Sequence, residues 1–187
     1  MKRIIPIIAI ILAISCTSRN LKANEAELFP VNYENELFSI SMPGGWEYDD
    51  SKWMGPDSMQ NEVDFYNPDD DTVWFHFVKA YYPLNLKDVN DAAEFAKAAR
   101  TLSGDSVSLI QEYDSVTISG YPTKVLVYAN YVDNDTIIQK QFVTYMKESN
   151  ILVYFNENFL YKHWDAAQEI GDELMKNVVI KKYNISI

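Results

Sequence analysis

The stretch Thr72 to Ala80 constrains the fold most. Val73, Phe75 and Phe77 face one way and Trp74, His76 and Val78 the other, so strict alternation marks a strand. Both of its faces are largely apolar, which predicts cover on both sides. The chain around it offers more strands. Leu37-Phe38-Ser39-Ile40-Ser41 alternates apolar with serine, Pro43-Gly44-Gly45 makes a turn, and Trp46-Glu47-Tyr48 resumes an extended course. Val63 and Phe65 mark a short strand ending at Asn67-Pro68-Asp69-Asp70-Asp71. In the second half, Ser115 to Ser119 leads to a turn at Gly120. Lys124 to Val132 and Ile137 to Met146 then flank the short loop Asp133-Asn134-Asp135, and Lys147 to Asn150 turns the chain into Ile151 to Phe155. Consecutive β-branched and aromatic strands with tight loops pair antiparallel.

Two segments change period. From about Leu86 to Ser103, Val89, Ala92, Ala93, Ala96 and Ala99 recur at helical spacing, with Phe95 and Leu102 beside them. Asn85 or Asp88 can cap the start and Gly104 can end the helix. The alanines form a flat face that can lie close on a sheet. From about Asn158 to Lys176, Leu160, Trp164, Ala167, Gly171 and Leu174 keep a buried three-four spacing. The order β-β-β-β, α, β-β-β-β, α predicts an α+β fold, a single antiparallel sheet sandwiched between helices.

The N-terminus reads as an export signal. Lys2 and Arg3 precede an apolar run, Ile4 to Ile14, of about eleven residues, against the ~20 that a membrane-spanning helix needs. Cys16, the only cysteine, follows Ala13-Ile14-Ser15 and has no internal disulfide partner. This resembles a lipoprotein signal with a loose lipobox, Leu12 standing one residue earlier than the usual leucine. The expected organisation is a signal peptide at 1–15, a lipidated Cys16 with a flexible tether to residue 35, and one domain at 36–187. Acyl chains contribute about 0.8 kcal/mol per buried CH₂, so a multiply acylated cysteine anchors the protein to its membrane. The expected location is the bacterial cell envelope, on the outer membrane or a periplasm-facing membrane.

Charge narrows the partners. Losing Lys2 and Arg3 from the 16 basic residues leaves 14 against 27 acidic, a net −13. That balance argues against nucleic acid, which is bound through cations on phosphates, and against electrostatic adhesion to anionic lipid.

Phe38-Ser39-Ile40-Ser41-Met42-Pro43-Gly44-Gly45-Trp46 resembles the opening of the PsbP-like superfamily, an "F-S-I-x-x-P-x-G-W" segment. Ile118-Ser119-Gly120-Tyr121-Pro122, followed by a long strand, is similar to that family's "I-x-G-x-P" step. The likeness spans roughly residues 36 to 180. It implies an antiparallel sheet with packed helices and no chemistry, since related domains act as binding or assembly modules. Physically, Gly44 and Gly45 permit a tight turn, Trp46 can fold back as a core plug, and Gly120 supplies a positive φ.

The search for chemistry finds little. Asn67, Asp69, Asp70 and Asp71 form the densest oxygen cluster, with Asp69 and Asp71 weak metal candidates. The glycine and terminal glutamate of a calcium loop are missing, and an acidic turn explains the pattern. His163 and Asp165 are two apart on a helix and do not face each other. His76 fits a hydrogen-bonded sheet position. There is no G-x-S-x-G elbow, no phosphate loop and no spare cysteine for zinc, and adjacent Asp49 and Asp50 point to opposite faces of a strand. Neither an enzyme nor a cofactor is expected. The 13 tyrosines, nine phenylalanines and four tryptophans exceed what one small core needs. Trp46, Trp53, Tyr81, Tyr82, Tyr131 and Tyr161 are candidates for a surface patch, with Trp53, Tyr81 and Tyr82, beside loops, first for partner binding. The expected function is a lipid-anchored, non-catalytic binding or assembly module for an envelope protein. The alternative is a ligand-binding lipoprotein for a divalent metal or small molecule.

Overall fold

A computed structural model describes residues 31–55, 58, 60–81, 86–102, 107–132 and 135–182. Seven strands build the main sheet: β3 (Glu47–Asp49), β4 (Gln60–Asn67), β5 (Asp70–Tyr81), β6 (Val107–Ile118), β7 (Tyr121–Val132), β8 (Asp135–Met146) and β9 (Ile151–Leu160). Their order across it is β3-β4-β5-β9-β8-β7-β6, all antiparallel. A second sheet of three strands, β1 (Val31–Glu34), β2 (Phe38–Met42) and β10 (Val178–Ile180), has the order β1-β2-β10. Helices α1 (Val89–Leu102) and α2 (Trp164–Lys176) complete the fold.

The single expected sheet is therefore two. The opening strand Phe38–Met42 leaves the main sheet because its partners are local and terminal. It pairs β1, which lies within the expected tether, and β10, past the expected last helix. Phe38, Ile40 and Met42 alternate inward and complete the core beside Phe77 and Phe155. Ser119 stitches this small sheet to the β6–β7 hairpin. Its hydroxyl donates to the Val178 carbonyl (3.2 Å) and accepts from the Ile180 amide (2.7 Å). Ser119 and Gly120 both have positive φ, 52° and 84°, as a two-residue I′ hairpin turn demands. The Pro43–Trp46 turn closes through the Trp46 amide on the Pro43 carbonyl, with Gly45 at φ 86°. Trp46 then packs on Phe75 as a buried core plug, which removes it from the candidates for a surface patch.

The two faces of the main sheet differ. One carries Val63, Phe65, Val73, Phe75, Phe77, Phe142, Val153, Phe155 and Phe159, and is covered by the small sheet together with Ala167, Leu174 and Met175 of α2. On the other, α1 lays Ala92 and Ala96 on Leu126, Tyr128, Val143, Tyr145 and Leu152. Ala92, Ala93 and Ala96 are buried as expected, whereas Ala99 is exposed, and Asp88 caps the helix by accepting from the Asn90 and Asp91 amides (2.8 and 3.2 Å). Asn85, Gly104, Asp133 and Asn134 lie outside the described residues. β9 runs on to Leu160, and a 3-10 turn, Tyr161–His163, precedes α2, so Asn158 is a strand residue and not a helix start. Its cross-strand partners Trp74 and Gln139 hold it there.

Candidate functional site

Helix α1 packs on β7 and β8, and beside it the same face becomes polar. Cross-strand register sets Asp64, His76, Asn156 and Gln141 in one row, which continues to Leu126 under the helix. A second row runs Trp74, Asn158, Gln139, Tyr128. The expectation that Thr72–Ala80 is covered on both faces is corrected here. Val73, Phe75 and Phe77 are buried, whereas Trp74 and His76 are half-exposed, because α1 reaches only the Leu152 end of β9 on this side and leaves these positions of β5 uncovered.

The rows are internally bonded. The His76 imidazole pairs through Nδ1 with the Asp64 carboxylate, leaving Nε2 as the ring nitrogen turned away from it. Gln141 donates Nε2–H to the Asn156 side-chain oxygen (3.0 Å), and Gln139 donates likewise to Asn158 (3.0 Å). Asn158 donates to the Asn156 carbonyl (3.3 Å). The result is a platform of half-exposed Gln139 and Gln141 amides held by the buried Asn156 and Asn158, one imidazole–carboxylate pair and the Trp74 indole. Such a surface hydrogen-bonds and stacks. The described side chains flanking His76 on this face are Asp64, Asn156 and Trp74, none a nucleophile of the hydroxyl, thiol or amine kind.

Beneath α2, on the opposite face, lies a second unusual group. Glu157 is fully buried (0% exposed), flanked on its strand by Phe155 and Phe159. Neither of its carboxyl oxygens has a hydrogen-bond partner. Burial pushes its pKa up to about 8, against the opposing pull of Lys140, whose ammonium stands 3.9 Å away. Lys140 itself bonds Asp172 on α2 (2.7 Å) and lies 5.3 Å from the Phe142 ring centre. Helix and carboxyl fit only because residue 171 is glycine. A Cβ there would stand 2.0 Å from the Glu157 Oε1.

No family model and no curated protein matches the sequence. Solved structures do match. The solution structure of cyanobacterial PsbP (CyanoP) from Synechocystis sp. PCC 6803 aligns with a TM-score of 0.59 at 18% identity, over 81% of this chain and 92% of that one. The chain carries a PsbP-like fold. The Saccharomyces cerevisiae Ran-binding protein Mog1p also aligns, with a TM-score of 0.51 at 12% identity, over 80% and 95% of the two chains. At these identities the likeness speaks of architecture.

Within the PsbP-like domain the sequence candidates scatter. Trp53 is half-buried, its indole tilted against Phe38 and Phe77 and its Nε1–H on the Glu36 carboxylate (3.3 Å). Tyr81 ends β5, the strand that also carries Trp74 and His76, and Tyr82 and Cys16 lie outside the described residues. Asp69 sits in the β4–β5 turn, its amide donating to the Asn67 side chain (3.0 Å), and Asp71 lies in β5. Among the described residues no three His, Cys, Asp or Glu stand together to hold a metal ion. His163 is half-buried and Tyr161 exposed near the start of α2, and Tyr131 is exposed near the β7–β8 turn. Sequence reasoning missed the platform and Glu157. Their signal was Phe155-Asn156-Glu157-Asn158-Phe159, in which three consecutive polar residues stand between two phenylalanines on a strand. Among the described residues no helix is long and apolar enough to cross a membrane.

Proposed function

We propose that this protein is a lipid-tethered, non-catalytic binding module that recruits or stabilises a protein of the bacterial envelope. The half-exposed Trp74, His76–Asp64 pair, Gln139 and Gln141 carry this reading, with the buried Asn156 and Asn158 fixing the glutamine amides from beneath. Prealigned amides and an aromatic ring hold a partner at low ordering cost, and Trp is enriched at interfaces. The PsbP-like architecture fits a module of this kind. Cys16 supplies the anchor through its lipid, with the residues before the domain as tether and Trp53, Tyr81 and Tyr82 as further contact points. In-cell crosslinking with mass spectrometry tests it. One near-stoichiometric envelope protein is expected, lost on Trp74→Ala with His76→Ala, and recovery of abundant background alone overturns it.

A second reading rests on the same amide rows. A small polar ligand such as a sugar finds donors, acceptors and a stacking ring there. Calorimetric titration with simple sugars is the test, and the absence of heat removes it. For the metal version on Asp69 and Asp71, a calcium titration without heat or thermal shift does the same.

A further inference from the structure

We infer that the cleft between the β6–β7 turn, the β8–β9 turn and the segment leaving β10 is a binding site for a short peptide with free termini. The site goes beyond the binding-module reading and uses none of the platform residues.

The cleft has a volume of about 510 Å³, and Ser119, Tyr121, Glu148, Ser149, Ile180 and Lys182 line it. Small-ligand sites occupy roughly 300–1,000 Å³. Its walls are fixed by bonds among themselves. The Ser119 hydroxyl joins the first turn to β10 through Val178 and Ile180. The second turn closes through the Ser149 amide on the Met146 carbonyl and the Asn150 amide on the Lys147 carbonyl (both 3.2 Å). The Asn150 side chain also accepts from the Tyr145 hydroxyl (2.9 Å). Between the two turns, the buried hydroxyls of Thr123 and Thr144 bond each other (2.7 Å). Walls held in this way lower the ordering cost of binding.

The lining names the ligand. Ile180 is buried and Tyr121 half-buried, which gives an apolar and an aromatic wall, and the buried Ser149 adds a polar one. Glu148 and Lys182 stand exposed on different walls. Among the described residues neither side chain has an ion pair or hydrogen bond, and the two do not pair with each other. The basic residues next to them act elsewhere. Lys181 bonds Glu34 (2.6 Å), and Lys147 acts on Asp88 at the cap of α1. The cleft therefore holds one carboxylate and one ammonium, kept apart. A ligand of a single charge satisfies one of them and meets its own sign at the other. A peptide with free termini brings an ammonium for Glu148 and a carboxylate for Lys182. A free amino acid carries both charges on one carbon. Each further residue separates them by about 3.3–3.6 Å, which suits two groups that do not reach each other across the cleft.

The test is an NMR titration of the full-length protein with Ala-Ala, its N-acetyl form, its C-terminal amide and free alanine. Ala-Ala should shift the amide signals of Gly120, Tyr121 and Ser149 in a saturable way. Loss of either terminal charge should weaken binding about fivefold, as expected of one half-exposed ion pair. Glu148→Gln should bind Ala-Ala and its N-acetyl form alike, and Lys182→Gln should bind Ala-Ala and its amide alike. Both positions are exposed, so neither change should move the thermal midpoint. No saturable shift at millimolar Ala-Ala, shifts that miss all three amides, or equal binding of the charged and capped peptides overturns the proposal. So does free alanine binding as tightly as Ala-Ala, which makes the ligand an amino acid. None of these outcomes bears on the crosslinks from Trp74, so the cleft and the binding-module reading stand or fall separately.

Discussion

Replacing Glu157 by Gln should change how stability depends on pH. In the folded protein the Glu157 carboxyl is raised to about 8 from its ordinary value of 4.5. Between those limits the folded state keeps a proton that the unfolded chain releases. Stability is therefore full below pH 4.5 and declines as pH rises towards 8. Each pH unit costs about 1.4 kcal/mol, so the loss across the window is on the order of 5 kcal/mol. Glutamine keeps the shape and has no proton to lose. The two proteins should match near pH 4.5, and the variant should be the more stable by several kcal/mol above pH 8. Urea unfolding from about pH 5 to about pH 9 reads this directly, with constant m-values guarding the two-state treatment. A stability difference that stays constant across that range refutes the argument, since Glu157 would then be ionised or hydrated in the fold.

Other changes have equally definite outcomes. Gly171→Ala should destabilise by about 1–3 kcal/mol through overpacking, despite better helix propensity, and Glu157→Ala in the same chain should recover much of that loss in thermal midpoint; strict additivity would contradict the contact. Ser119→Ala should cost about 1–3 kcal/mol by orphaning the Ile180 amide and should speed its hydrogen exchange; unchanged exchange would show the stitch to be idle. Cys16→Ala should move the protein from the membrane to the soluble fraction in cell fractionation, and retention on the membrane would remove the lipid anchor from the account.

Local rules carried far in this chain because many elements are locally coded. The Asp88 cap, the alanine face of α1, the Gly120 turn and the alternation of Val73, Phe75 and Phe77 follow from short-range chemistry. The division into two sheets did not, since β2 chooses between main-sheet neighbours and the distant β10. Short-range pattern cannot weigh such a pairing. The platform was hidden for a related reason. Asn156 and Asn158 look like helix-capping or loop residues until strand register sets them against His76, Trp74, Gln139 and Gln141. Glu157 was legible only once β9 was known to pass through that segment. Trp53 looked like a loop aromatic, and its packing on Phe38 and Phe77 depends on where β2 lies.

The most direct test is a photo-crosslinking residue placed at Trp74 of the full-length protein in its native membrane, with the same residue at Glu173, on the exposed side of α2, as control. The account predicts one dominant envelope protein from position 74 and none of it from position 173. The same products from both positions, or none from position 74, would contradict a binding face on this half of the sheet.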